Sequence, residues 1–511
     1  MRLFRFCAVL SLVFALGCQT VPKSSTPPPP EPLDQLRKQL HELFNDPKFD
    51  NAFWGVKIVF AETGEVIYEQ NPQKGLMPAS NMKIFTTAAG LSILGPDYTY
   101  KTPLYYSGTI DAEGTLHGDV IVIGSGDPSI SGRYRNRQYG LEDKPTSAIL
   151  ADWAAALKAR GVKRITGDVI GDDDAFDDED LGLNWELDDL PFWYAAGVSG
   201  LSLNENCYDY VIEPGARVGD PARIRIIPDT TYVTLKNDAV TTISGVAPTA
   251  DVFRWPNSNE ITFYGYIPLG RTVRHRASVW NGTLYTVTVL KETLERDDIA
   301  VDGEARDADS MPDKAARLNP TEGRTLFYTQ ESVPLSRIVS IINKPSQNFY
   351  ADMLLKTLSK EVNGVGTWRG GFAVAQKFLA SIGAPNANLF NMDDGSGLSR
   401  RNLVHPNHTV AVLRYMMSSP NFKIFYDSLP IMGVDGTIAN LNRGTLAAGN
   451  VHAKTGTITY ARSLSGYLDT ADGERIIFST MCNNYTTPTR EVNKVQEVFT
   501  LLLANFKRNP M

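Results

Sequence analysis

Histidine and cysteine are scarce in this chain of 511 residues, which holds six of the first and four of the second. No HExxH stretch and no closely spaced cysteine pair occurs, so zinc-ligand spacing is missing. No metal or organic cofactor is expected. Two of the cysteines, Cys7 and Cys18, stand near the start, which leaves Cys207 and Cys482 for the fold. An exported protein could pair them, but "IIFSTMCNN" reads as a buried strand, and a lone core cysteine is the commoner state. Apolar runs long enough to cross a bilayer are absent beyond the N-terminus. Excess positive charge is absent as well: the formal charge of −7 argues against nucleic acid as a partner. The length implies about two to four domains.

The N-terminus carries a targeting pattern. "MRLFR" sets two arginines before the apolar "FCAVLSLVFALG", which reads as an export signal over residues 1–17, outside the fold. "FALGCQT" then places Cys18 directly after Gly17. This resembles the lipobox of bacterial lipoproteins, in which the cysteine is acylated, although Ala15 and Leu16 stand in the reverse of the usual order. Simple cleavage after Gly17 is the alternative. "VPKSSTPPPPEP" completes a proline-rich tether over 18–32 that stays extended. The expectation is an exported, periplasmic protein anchored to the membrane through a lipid on Cys18.

From residue 33 the pattern becomes globular. Leu33, Leu36, Leu40, Leu43 and Phe44 recur at helical spacing. "FWGVKIVF" alternates, with Trp54, Val56, Ile58 and Phe60 on one face, and "ETG" turns it into "EVIYEQ" as a hairpin. A buried helix follows, with Ser80 at its cap position, and stops at Gly95-Pro96. Between about 100 and 325, short β-rich runs such as "DVIVIGSG", "ARIRIIP" and "EITFYGYIP" alternate with turns. Helices resume at "PLSRIVSII", "NFYADMLLKTLSK" and "GGFAVAQKFLASIG". The chain closes with a hairpin turned at Asp472-Gly473 and an amphipathic helix bearing Val492, Val495, Val498, Phe499, Leu502 and Phe506. This predicts an α/β (α+β) domain split into 33–100 and 326–511, an antiparallel sheet flanked by helices. The terminal helices share one sheet face, and residues 101–325 form one or two inserted β-rich domains.

Three short motifs carry chemistry. Ser80-Asn81-Met82-Lys83 puts a serine and a lysine on one helix face, three residues apart. A buried ammonium is costly unless paired or deprotonated, and a neutral amine is the base that a serine nucleophile needs. The bland alternative is a serine cap and a lysine that snorkels to water. Ser346-Gln347-Asn348 lies between two helical segments, where a loop would present both side chains. Lys454-Thr455-Gly456 precedes strand-like sequence. Gly456 would let a substrate lie against the strand edge, and Lys454 would supply a second positive charge that binds a carboxylate and keeps Lys83 neutral.

In this order the three form the signature of serine β-lactamases and penicillin-binding proteins. "GLMPASNMKIFTTAAGL", "ITGDVIGDDDAFDD", "VSGLSLNEN", "DDGSGLSRRNLVHP", "LPIMGVDGTI" and "AKTGTITYARSLSGY" extend the resemblance over residues 35–505. They are similar to the class C low-molecular-weight penicillin-binding proteins, the D-alanyl-D-alanine carboxypeptidase/endopeptidase (DacB, serine peptidase S13) family. That family carries a large insertion between its first two motifs, as the wide gap between Ser80 and Ser346 requires. The resemblance implies a penicillin-binding/β-lactamase-like transpeptidase fold, peptidoglycan stem peptides as substrate and β-lactams as inhibitors. It implies catalytic roles for Ser80 (nucleophile), Lys83 (base), Ser346 (proton relay), Asn348 (substrate backbone) and Lys454 (electrostatics). It further implies that Thr455 holds the terminal carboxylate and that the N–H groups of Ser80 and Thr457 form the oxyanion hole.

Two rivals stay open at this point, a β-lactamase or related esterase and a non-catalytic cell-wall-binding lipoprotein. The acidic run "GDDDAFDDED" lacks EF-hand spacing and reads as a solvated loop; the family resemblance implies an aspartate there that reads a basic group on the stem peptide. "DGSGLSR" around Ser396 reads as a glycine-rich loop bordering the cleft.

Overall fold

The computed structural model describes residues 31–134, 148–319 and 323–508. The export signal, Cys18 and most of the tether lie outside the described residues. Helix α1 (Pro32–Phe44) starts with proline, whose missing N–H costs nothing in a first turn, and buries Leu36, Leu40 and Phe44. Strand β1 (Phe53–Phe60) pairs antiparallel with β2 (Val66–Gln70). Its alternation sends Trp54, Val56, Ile58 and Phe60 into the core that α1 covers. Helix α2 (Met82–Ile93) is buried from Met82 to Leu91, and Gly95 just past it takes φ +84.

The chain then leaves through β3 (Lys101–Ser107) and returns through β4 (Arg324–Glu331), paired antiparallel with Lys101 opposite Glu331. The segment between them builds its own sheets around a separate core of Trp153, Tyr208, Phe263 and Tyr285. Two features depart from the sequence expectation. Strand β4 carries the inserted body past residue 325 to Glu331. Two helices, Ala148–Lys158 and the fifteen-residue Gly282–Arg296, stand among its strands. The β-branched "TVTV" stretch of the second, poor in helix propensity, hides the helical period.

Past the insertion, α3 (Leu335–Asn343), α4 (Asn348–Asn363), α5 (Trp368–Ser381) and α6 (Pro406–Ser418) pack with α2 around Phe85, Leu354 and Leu413. Strands β5 (His452–Ile458), β6 (Ala461–Asp469) and β7 (Arg475–Asn483) and helix α7 (Thr489–Asn505) complete the chain. The sheet has the order β2-β1-β7-β6-β5 and is antiparallel throughout. Helices α1 and α7 cover one face through Phe44, Trp54, Phe478 and Phe499. Burying such side chains contributes roughly 1.5–3 kcal/mol each. The core on the other face joins Val59, Tyr467, Ile477 and Met481 to α2 and α6. This is an α+β fold, and β5 is left at the sheet edge. Cys207 and Cys482 are free and buried, in different cores.

The acidic run is a half-buried strap, not a solvated loop. Phe176 at its centre inserts into the helical core. Asp177 pairs at 2.6 Å with Lys356 Nζ, whose side chain is wholly buried. The Glu179 carbonyl accepts from Lys356 Nζ at 2.9 Å and from Trp368 Nε1 at 2.6 Å. Burial pushes the Asp173 carboxyl up to about 8 and that of Asp180 up to about 7. A count of acids cannot reveal that a buried lysine and a phenylalanine anchor them.

Candidate active site

Ser80 stands in a short 3-10 turn, Ala79–Asn81, ahead of α2. Ala79 takes φ +47, which costs a non-glycine residue about 1–2 kcal/mol. The turn is tied to the sheet to hold that strain. Ser463 Oγ donates to the Pro78 carbonyl at 2.6 Å, and Asn81 Nδ2 donates to Ser463 Oγ at 2.6 Å and to the Lys454 carbonyl at 3.3 Å. Two glycines close on it. A Cβ on Gly397 would lie 1.8 Å from the Ala79 carbonyl oxygen, and one on Gly456 would lie 2.4 Å from that of Pro78. Gly456 is therefore demanded by the seat of the nucleophile rather than by a substrate along the strand. The cap expectation is also corrected. Asn81, not Ser80, occupies the cap of α2 and makes no side-chain cap bond.

The Ser80 hydroxyl instead meets Lys83, whose Nζ lies 2.9 Å from Ser80 Oγ, 2.7 Å from Asn348 Oδ1 and 2.7 Å from the Ser396 carbonyl. The "DGSGLSR" loop thus contributes a backbone carbonyl. Lys83 is wholly buried. Burial lowers its pKa from 10.5 to about 7, against the upward pull of Asp352 and Asp394. Burial, not the Lys454 charge, is the main cause of that lowering. Lys454 is itself held well below its ordinary value, first by burial and then by the charge on Lys83.

Ser346 has φ +63, a second strained residue at the site, and its Oγ accepts from Lys454 Nζ at 2.8 Å. Asn348 is not in a loop with it but is the first residue of α4. Its Oδ1 faces Lys83 and its Nδ2 donates at 2.8 Å to the carbonyl of Tyr194, a residue of the insertion. Ser80, Lys83 and Asn348 thus share one set of hydrogen bonds, Ser346 and Lys454 form a second, and Ser80, Ser346 and Asn348 line one cleft. Thr455 Oγ1 lies 2.7 Å from Thr437 Oγ1. Gly456 and Thr457 line the same cleft as Ser80, Ser346 and Asn348, a cavity of about 840 Å³. The Ala453 N–H donates outward to Pro430. By the alternation of a strand, the N–H groups of Thr455 and Thr457 therefore face off the β5 edge as well.

The motifs leave out two buried carboxylates. Asp352, one turn beyond Asn348 on α4, accepts the N–H groups of Gly395 and Ser396 at 2.8 Å each. This positions the Ser396 carbonyl over Lys83. Burial, then the Asp394 charge, pushes the Asp352 carboxyl well above the usual carboxylate range. Asp394 accepts from the N–H groups of Gly397 and Ser399 at 2.7 and 2.6 Å and from Trp185 Nε1 at 2.9 Å.

A buried lysine on a serine hydroxyl, with a second lysine–serine pair beside an open strand edge, is a site for acyl transfer. The profile of the D-Ala-D-Ala carboxypeptidase 3 (S13) family matches residues 36–505. The chain belongs to that family. This S13 peptidase is 32% identical over 492 residues to a D-alanyl-D-alanine carboxypeptidase of Actinomadura sp. (strain R39), covering 93% of this chain and 85% of the relative. It is 28% identical over 435 residues to D-alanyl-D-alanine carboxypeptidase DacB of Haemophilus influenzae, covering 83% and 84%. The crystal structure of penicillin binding protein 4 (dacB) from Haemophilus influenzae superposes with a TM-score of 0.73 at 25% identity, covering 90% of this chain and 99% of that one. The S13 peptidase is a serine-type hydrolase of the D-alanyl-D-alanine carboxypeptidase class, with a penicillin-binding fold.

Proposed function

We propose that Ser80 attacks the carbonyl between the two D-alanines of a peptidoglycan stem peptide, or of a D-alanyl cross-link, and forms an acyl-enzyme. The observation that carries this reading is the set of three partners around Lys83 Nζ. A neutral amine has two N–H donors and one lone pair. Two of the partners, Asn348 Oδ1 and the Ser396 carbonyl, only accept, so they take both N–H groups. The lone pair is left aimed at the third partner, the Ser80 hydroxyl, which donates to it.

Chemistry follows from that aim. The Ser80 proton passes to Lys83 as the Ser80 oxygen bonds to the carbonyl carbon. The resulting oxyanion sits between the N–H groups of Ser80 and Thr457, donors typically worth about 3 kcal/mol each. The C–N bond then breaks, and Ser346, held by Lys454, relays to the departing amine the proton that Lys83 took up, which leaves Lys83 neutral again. Asn348 and Thr455 hold the substrate backbone and its carboxylate. Water repeats the sequence on the ester and returns Ser80. A β-lactam enters by the same first step.

This substrate places the enzyme outside the cytoplasm, and the N-terminal pattern supports a periplasmic protein anchored through a lipid on Cys18. Labelled palmitate should enter the wild type and not Cys18→Ser; equal labelling refutes the anchor. The main reading is tested by D-alanine release from a pentapeptide ending in D-Ala-D-Ala. Release should be fast with the wild type and absent with Ser80→Ala; equal release by both overturns the assignment.

A further inference from the structure

The insertion builds a buried ion cluster beside the site. Glu205, in "VSGLSLNEN", is buried at φ +58 and lies 2.5 Å from Arg133 Nε and 3.8 Å from Arg276 Nη1. Arg133 also pairs with Asp209. Arg276 has a second task. Its guanidinium carbon stands 4.2 Å from the centre of the Trp193 ring, a cation–π contact that burial strengthens. Ala277, next to it on the strand Val273–Ser278, bridges to Phe192. These contacts hold the short turn Trp193–Ala195, whose middle residue, Tyr194, offers the carbonyl that accepts from Asn348 Nδ2. A thinner link runs through Tyr134, whose Oη accepts from Gln347 Nε2 at 3.1 Å and from Arg276 Nη2 at 3.5 Å.

The Tyr194 carbonyl decides something that the Asn348 side chain cannot decide alone. An amide has one end that accepts and one that donates, and the two ends have nearly the same shape. The carbonyl only accepts, so it takes Nδ2 and turns Oδ1 toward Lys83. With the amide turned over, Nδ2 would donate to the Lys83 lone pair. Lys83 would then donate to Ser80 Oγ instead of accepting from it, and the serine would lose its base.

Building on the function proposed above, we infer that Arg276 is a positioning residue for the Lys83 base. Braced by Glu205, it holds the Trp193–Ala195 turn so that the Tyr194 carbonyl sets which end of the Asn348 amide faces Lys83. The inserted domain is thereby part of the base. The charged groups that face Lys83 itself are Asp352 and Asp394, with Lys454 beyond them, and all three stay in place in the variants below.

The test measures the second-order rate of acylation by benzylpenicillin against pH, whose acid limb reports the base of the free enzyme, in the wild type, Arg276→Gln and Arg276→Lys. In Arg276→Gln the turn loses its hold and a share of the molecules carries the amide reversed, so acylation should slow by about 10-fold. The acid limb should move to lower pH by about half a unit, because Lys83 loses an acceptor that favours its charged form. Arg276→Lys keeps a cation over the ring and beside Glu205 and should recover most of the rate. Loss of a positive charge acting through space would instead move the limb to higher pH. A limb that rises or stays in place therefore overturns the inference, as does acylation at the wild-type rate. If Arg276→Gln does not fold, Trp193→Leu leaves the ion cluster intact and carries the same expectation, and an unmoved limb there overturns the inference equally. A wild type that benzylpenicillin does not acylate refutes the underlying function instead.

Discussion

Replacing Lys83 with methionine should change how stability depends on pH, by an amount the site itself sets. In the native protein the amine titrates at about 7 rather than 10.5 because it is buried. Between those values the unfolded chain holds the proton and the native protein does not, so stability rises with pH across the interval. At about 1.4 kcal/mol per unit, the interval amounts to about 5 kcal/mol, most of which the wild type forfeits at pH 7. Lys83→Met keeps the length of the side chain and removes the titration. The wild type should therefore gain on the variant by about 1.4 kcal/mol per pH unit from pH 7 to pH 10. Asp352 acts in the same direction, since without Lys83 it holds its proton to higher pH and weakens the variant as pH rises. Urea unfolding followed by tryptophan fluorescence at four pH values reads this slope. A flat difference between the two proteins would mean that Lys83 keeps its charge in the fold, and the base assignment would fail with it.

Asp352→Asn removes a charge that raises the Lys83 pKa, so the acid limb of penicillin acylation should move to lower pH by about one unit; an unmoved limb contradicts this. Gly397→Ala, at φ +90, drives a Cβ to 1.8 Å from the Ala79 carbonyl oxygen and shifts the Ser80 turn, so acylation should slow by about 100-fold. Acylation at the wild-type rate would show that the turn does not depend on Gly397. Burial pushes the thiols of Cys207 and Cys482 up to about 12, so in a chain beginning at Glu31 both should resist a thiol reagent at pH 8 until guanidinium is added; quick native labelling refutes their burial.

What could be read from the sequence was local. The Ser80–Lys83 spacing is a property of one turn, and the alternation of Trp54, Val56, Ile58 and Phe60 is a property of one strand. Asp352 was legible by the same reasoning as Lys83, because "NFYADMLL" sets an acid in an apolar helix and a buried charge needs a reason. Asp394 and the Tyr194 carbonyl were not legible, since a loop and an inserted domain bring them to the site from far along the chain. The purpose of Gly456 also depended on what packs beneath it, which only tertiary structure supplies. The acidic strap failed for a related reason, because composition is silent on the lysine that answers it.

The central claim is that Ser80 is an acylated nucleophile. Intact-mass spectrometry after incubation with benzylpenicillin tests it most directly, on the wild type and on Ser80→Ala. The account predicts that the wild type gains the mass of one penicillin, that the adduct persists, and that the variant gains nothing. Penicillin hydrolysed with no lasting adduct would point to a β-lactamase. An unmodified wild type without turnover, or equal labelling of both proteins, would contradict the account.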